Sequence, residues 1–147
     1  MAFYGLESPE GVPVYVHAKV CIIDDQWASV GSDNFNRRSW THDSEVTAAV
    51  SDSGYARTLR LTLAGEHLDR ADPMDDLHDP AQTYTAFADC AAGLQRWYDG
   101  GRAGPRPPGR LRPVVDTPQS RFTQVWAGML YRLVYDPDGR PLKVRLR

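Results

Sequence analysis

Cysteine is nearly absent from this 147-residue chain. Cys21 and Cys90 are the two there are, too few for a disulfide framework and without a metal-ligand spacing, so both are expected as buried thiols. No apolar run approaches the roughly 20 residues that cross a bilayer as a helix, and no basic segment followed by an apolar one opens the chain. Without an export signal it reads as cytoplasmic, or peripheral to a membrane, provided Met1 is the genuine start; the compartment itself stays open. Internal repeats are lacking, and the length leaves room for one domain at most. A large net charge is also missing, the formal value being −2, yet its spread is uneven. Residues 1–101 carry 7 Lys and Arg against 16 Asp and Glu, a balance of −9, and residues 102–147 carry 10 against 3, a balance of +7. An anion site in the acidic part must rest on local donors and not on the field of the whole chain.

What is present is concentrated between Val12 and Trp40, VPVYVHAKVCIIDDQWASVGSDNFNRRSW. Val14 to Ile23 alternates with period 2, which predicts a strand with Val14, Val16, Ala18, Val20 and Ile22 on one face and Tyr15, His17, Lys19, Cys21 and Ile23 on the other. His17 and Lys19 are thus two polar residues on a face of otherwise buried character. At a rise of about 3.3 Å per residue their Cα atoms would lie roughly 6 to 7 Å apart, which lets one phosphate meet an imidazole and an ammonium together. Asp24-Asp25-Gln26 predicts a turn into a second strand, Trp27 to Val30, as a hairpin. That strand runs into Gly31-Ser32-Asp33-Asn34, where glycine permits close backbone approach and Ser32 and Asn34 offer hydrogen bonds to an anion. Arg37 and Arg38 either add positive charge beside an anionic substrate or form a solvated pair. His42, between turn residues, is expected hydrogen-bonded or exposed.

The pattern HxKxxxxD, present as His17, Lys19 and Asp24, followed by GSxN as Gly31, Ser32 and Asn34, resembles the phospholipase D superfamily over about Val12 to Val50. The stretch NRRSWTHDSE resembles the second of the two motif copies in bacterial phospholipase D-like and cardiolipin synthase-like proteins. The resemblance implies an α+β fold of the α/β sandwich type, a mixed β-sheet flanked by helices, and a metal-independent, cofactor-free reaction through a phosphohistidine. His17 would be its nucleophile or its general acid, paired with a second histidine from another motif copy. Lys19 would bind the non-bridging phosphate oxygens and offset charge in the transition state, and Ser32 and Asn34 would donate further hydrogen bonds to them. Asp24, offset from the phosphate-facing parity, would fix the strand end and turn. Glu45, in HDSEVTAAV, matches the acidic residue that orients the motif histidine and holds one tautomer; its strand would place Glu45, Thr47 and Ala49 opposite Val46, Ala48 and Val50.

The rest of the chain is expected to support that half-site. The opening, MAFYGLESPEGV, shows turn chemistry in Ser8-Pro9-Glu10-Gly11 and no strand or helix. With the upstream half of the sheet missing, an edge and much apolar surface would be exposed. The chain is therefore expected to be the C-terminal part of a longer two-motif protein, a partial phospholipase D-like domain over residues 1–99. Ser51-Asp52-Ser53 offers N-caps for a helix over Tyr55 to Asp69, with Tyr55, Leu59, Thr62, Leu63 and Glu66 at helical spacing. Ala71 to Asp79 is an acidic loop without EF-hand order, and Asp79-Pro80 starts a helix to about Tyr98 with Tyr84, Phe87, Ala88, Ala91, Leu94 and Tyr98 in one stripe. Residues 100–120, which begin GGRAGPRPPG, are expected as a Gly/Pro/Arg linker; they hold no aromatic residue for stacking on bases. Residues 121–147 form a basic tail in which Trp126, Met129, Leu130, Leu133 and Val134 suit a short amphipathic helix, docked back on the domain or laid on a membrane surface, before an Asp136-Pro137-Asp138-Gly139 turn.

The expected partners are a phospholipid substrate and a second motif-bearing half or a second copy of the chain, with nucleic acid the weaker match because no basic aromatic groove is evident. The expected activity is phosphodiester hydrolysis or phosphatidyl transfer. Two other readings stay open: a homodimeric nuclease built from two copies of one motif, and a catalytically silent interaction module.

Overall fold

The computed structural model of the chain describes residues 1–70, 75–114 and 120–131. Their architecture is α+β: strands β1 (Tyr4–Glu7), β2 (Pro13–Val14), β3 (Lys19–Ile23), β4 (Trp27–Gly31), β5 (Thr47–Val50) and β6 (Leu111–Pro113), and helices α1 (Arg37–Thr41), α2 (Ser53–Leu68), α3 (Pro80–Asp99) and α4 (Arg121–Leu130). The strands make two three-stranded sheets, of order β2-β1-β6 and β3-β4-β5. Contacts divide the chain into two units, one of Met1–His17, Ile22–Ala28 and Val50–Val115, the other of Ala18–Cys21, Ser29–Ala49 and Asp116–Arg147.

The first unit is organised by β1, where the sequence predicts neither strand nor helix. Both neighbours of β1 are antiparallel, with Leu6 opposite Val14 on one side and Leu111 on the other. A four-residue strand with Gly5 inside it carries almost no periodic signal, and half of its pairing comes from residues more than a hundred positions away. Two helices complete the unit. Asp52 caps α2 by accepting from the Tyr55 amide at 2.7 Å, and Asp79 caps α3 ahead of Pro80, accepting from the Ala81 amide at 2.9 Å; each cap satisfies an amide that the helix start leaves without a partner. The core comprises Ala64, Leu68, Leu77, Ala91 and Leu111, with Tyr4, Leu6, Leu61, Ala86, Phe87 and Cys90 packed on it. Tyr4 meets Phe87 edge to face with ring centroids 6.2 Å apart.

Helix α2 turns a different face inward from the one its apolar spacing predicts. Tyr55, Thr62 and Glu66 are exposed, and the buried row is Ala56, Ala64 and Leu68, with Gly65 beside it. Arg60 occupies the missing turn of that row, which hides the stripe in the sequence. In α3, Ala91 and Leu94 are buried as the stripe predicts and Tyr84 is exposed. Cys21 and Cys90, expected buried, are half-buried.

Residues 100–114, the described part of the expected linker, lie against this unit. The Arg110 amide donates to the His67 carbonyl at 2.9 Å. Glu7, 3% exposed, takes Arg106 Nη2 at 2.8 Å and Arg112 Nη1 at 3.5 Å, and the Tyr98 hydroxyl lies 3.2 Å from its Oε2. The Arg112 guanidinium also stacks on the Tyr98 ring, 3.8 Å from its centroid.

The predicted strand from Val14 to Ile23 is two strands with a break. Pro13–Val14 pair with β1 and Lys19–Ile23 with β4, and residues 15–18 belong to neither ladder. A strand persists only where a neighbour takes its backbone hydrogen bonds, so alternation alone does not carry it across the gap. Val14, Tyr15 and Val16 are exposed there, not alternately buried.

The second unit takes in residues 19–21 of β3, 29–31 of β4 and 47–49 of β5, with the short helix α1. Asn36 caps α1 through Oδ1, which accepts from the Ser39 amide at 2.9 Å. Ser120 caps α4 in the same manner, accepting from the Thr123 amide at 3.1 Å. Leu133, Val134 and the Asp136–Gly139 turn fall outside the described residues, as does the linker beyond Val114 up to Gln119.

Candidate functional site

His17 and Asp24 belong to the first unit, and Lys19, Ser32, Asn34 and Glu45 to the second. His17 is exposed on the irregular stretch between β2 and β3, not on a strand. Its ring and that of Tyr15 are nearly parallel, 24° apart with centroids at 6.2 Å. Asp24 is exposed at the hairpin tip, where it and Asp25 adopt φ values of 53° and 52°. Those left-handed conformations, with the Gln26 amide donating to the Ile23 carbonyl at 3.0 Å, are the geometry a two-residue hairpin turn demands, and aspartate tolerates it better than most residues.

Asp25, which the sequence reading passed over, does the anchoring. It is 6% exposed and receives a guanidinium fork: Arg60 Nε at 2.6 Å on Oδ1 and Nη2 at 2.7 Å on Oδ2, with Arg57 Nε 3.6 Å from Oδ2. The Arg60 hydrogen bonds hold the Asp25 carboxyl below its ordinary value, with burial opposing them and the Arg60 and Arg57 charges assisting. Arg60 also donates to the Leu77 and His78 carbonyls at 2.8 and 3.0 Å and to Thr83 Oγ1 at 2.7 Å. One side chain therefore ties the hairpin turn to α2, to the start of α3 and to the turn before it. The signal in the sequence was a basic residue filling a gap in a row of small apolar ones.

In the second unit Lys19 is half-buried on β3. The structure brings Ser32 and Glu45 together: the Ser32 hydroxyl donates to Glu45 Oε2 at 2.5 Å and accepts from the Val46 amide at 3.0 Å, and the Ser32 amide donates to the Val46 carbonyl at 3.0 Å. Gly31 makes that approach feasible. A Cβ there would run into the Val46 carbonyl and the Thr47 hydroxyl, and would lie 2.5 Å from Thr47 Cα, a separation no side chain tolerates.

The chemical consequence concerns the direction of donation. Ser32 has one hydroxyl hydrogen, and it points at Glu45, so in this arrangement Ser32 offers a third group only its lone pairs. Asn34 is exposed, and its main-chain N–H donates to Ser39 Oγ at 3.2 Å. Asp33 shapes the loop between them, accepting from the Phe35 amide at 2.7 Å and from Trp40 Nε1 at 2.8 Å. Arg38 is engaged by Asp43, its Nε lying 3.0 and 3.1 Å from the two carboxylate oxygens, and His42 Nδ1 lies 3.0 Å from the Thr41 hydroxyl.

Residues 3–64 match the family described as "Cardiolipin synthase, PLD-like domain". A "Phospholipase D" of Phytophthora infestans is 34% identical over 110 residues, covering 58% of this chain and 6% of the relative. "Phospholipase D zeta 1" of Arabidopsis thaliana is 33% identical over 112 residues, 58% of this chain and 10% of its own length. "Cardiolipin synthase 2" of Staphylococcus epidermidis is 46% identical over 52 residues, 35% of this chain and 11% of that protein. The chain thus spans about a tenth or less of these relatives. No solved structure matches it.

Proposed function

We propose that the phospholipase D-like domain carried by residues 3–64 supplies one of the two motif copies of a phosphodiester-processing site, acting on a glycerophospholipid by hydrolysis or phosphatidyl transfer. The observation that carries this is the joint occurrence of His17, Lys19, Asp24, Ser32 and Asn34 at motif spacing inside the matched region, on a hairpin whose turn is clamped by Asp25 and Arg60. A second motif copy comes from a linked half or from a partner chain. Phosphatidyl esters are the substrate class in keeping with the names of the relatives, a phospholipase D and a cardiolipin synthase.

The chemistry proceeds in two displacements. One of the two motif histidines attacks phosphorus through a ring nitrogen, forming an N–P bond as the bond from phosphorus to the leaving oxygen breaks. The other histidine gives that oxygen its proton, so the alcohol leaves neutral. Water or an alcohol then attacks phosphorus, passes its proton back to the second histidine, and frees the first. Lys19 balances charge on the non-bridging oxygens, with Ser32 and Asn34 as further hydrogen-bonding groups for them. Glu45, which accepts from the Ser32 hydroxyl, is proposed as the acidic residue of the motif.

A common covalent intermediate has a measurable signature. The chain is assayed alone across concentrations and together with a polypeptide bearing the other motif copy, with a primary alcohol titrated into the reaction. The expected result is a partition between the acid and the phosphatidyl alcohol that is the same from diesters with different leaving alcohols. A ratio of acid to phosphatidyl alcohol that changes with the leaving alcohol of the diester would remove the intermediate.

A further inference from the structure

We propose that α4 is an in-plane anchor for an anionic lipid surface. All ten of its residues are exposed. At 100° per residue, Val125, Met129, Phe122, Trp126 and Leu130 fall on one arc of about 140°, and Arg121, Gly128, Gln124, Ala127 and Thr123 fill the rest. The arc is exposed throughout, from Phe122 at 74% to Leu130 at 48%, and Phe122 and Trp126 face each other across one turn with ring centroids 6.3 Å apart. Helices shorter than about 12 to 15 residues are marginal in water on their own, so this one calls for an apolar surface to lie on.

Charge selects that surface. The helix holds no acidic residue, and in sequence it is followed by Arg132, Arg140, Lys143, Arg145 and Arg147 against Asp136 and Asp138. A basic stretch that follows in sequence a helix whose apolar arc carries Trp and Phe suits the boundary between anionic headgroups and acyl chains. A second copy of the chain is the poorer occupant, because each copy would bring its own basic C-terminal stretch to the pairing. The helix would thereby hold the chain at the surface where a phospholipid substrate resides. Only that last purpose rests on the phospholipase D-like reading; surface binding itself is measured without turnover.

The test is co-sedimentation of the full chain with vesicles of phosphatidylcholine alone and of phosphatidylcholine mixed with phosphatidylglycerol. The expected result is partition at least about tenfold stronger onto the mixed vesicles, weakened by added salt. A double variant, Phe122→Ser with Trp126→Ser, should reduce partition by about tenfold or more, and Gln124→Ala on the opposite face should leave it unchanged. Circular dichroism establishes that each variant folds, which these exposed positions favour. Equal partition onto both vesicle types, no partition onto either, or undiminished binding by the Phe122/Trp126 variant would each overturn the proposal. So would a dimer in solution that the same double variant converts to a monomer, since the face would then belong to a second copy. Binding retained in a chain that turns over no diester would leave the anchor standing and remove the phosphodiesterase reading alone.

Discussion

Asparagine at position 25 would isolate the ion pair that clamps the motif hairpin. Asn is nearly isosteric with Asp and tolerates the left-handed backbone, so Asp25→Asn keeps the turn at φ 52° while removing the charge. Arg60, whose side chain is 14% exposed, then keeps one carbonyl oxygen in place of the two carboxylate oxygens now at 2.6 and 2.7 Å, and at the other position meets an NH2 group that presents hydrogens to its own. Breaking a buried pair by removing one partner costs about 3 to 5 kcal/mol. The carbonyls of Leu77 and His78 and the Thr83 hydroxyl still accept from Arg60, which places the expected loss near the low end, about 3 kcal/mol. Against a typical total of about 5 to 15 kcal/mol, that is a severe destabilisation. Urea unfolding followed by far-ultraviolet circular dichroism at pH 7 should show a midpoint lowered by about 1.5 to 2 M at an unchanged slope. The pH dependence supplies a second check. Asp25 is held below its ordinary value of 3.8, so on acidification the unfolded chain takes up this proton first. The contribution is complete above pH 3.8 and fades as pH falls through the lower folded value, so wild type and variant should converge in acid. A difference under about 1 kcal/mol at pH 7, or a gap that persists in strong acid, would refute the clamp.

Glu7→Gln should destabilise the first unit by about 2 to 4 kcal/mol, because Arg106 and Arg112 lose their carboxylate in a buried setting; urea unfolding reads it, and a loss under about 1 kcal/mol would place the ion pairs among inert ones. Gly31→Ala should cost about 1 to 3 kcal/mol through forced displacement of Val46 and Thr47, measured the same way and accompanied by loss of amide-exchange protection at Val46. His67 has its pKa lowered, chiefly by burial beside Phe87. The unfolded chain therefore protonates first as pH drops below about 6.5, and stability should fall between there and the lower folded value. His67→Gln should flatten that segment of the stability profile.

The parts of this chain that sequence resolves are those whose physics is local. Asp52 and Asp79 cap helices within four residues of themselves, Pro80 fits a first helical turn, and the Asp24-Asp25 turn needs only backbone geometry that aspartate tolerates; each was readable in place. What escaped depends on distant partners. β1 exists because Leu111–Pro113 pairs with it, and Glu7 is buried because Arg106 and Arg112 arrive from a stretch rich in glycine and proline. Arg60 masked the inward face of α2, since a charged residue in an apolar row makes sense only once its acceptors are known. At the candidate site, the motif residues were legible as residue types at a spacing. Two details were not: the break over residues 15–18, which takes His17 off the strand, and the direction of the Ser32 hydrogen toward Glu45. Both are set by which backbone or carboxylate lies alongside, and neither leaves a trace in residue order.

Diester turnover by the His17→Ala chain, compared with the native chain in the presence of a polypeptide carrying the other motif copy, tests the central claim most directly. Loss of the nucleophile or of its acid partner should lower the rate by at least about 10³-fold, with the far-ultraviolet spectrum unchanged because His17 is exposed outside any strand or helix. Turnover undiminished by the substitution would remove His17 from the chemistry and with it the assignment of this domain as half of a phosphodiester-processing site.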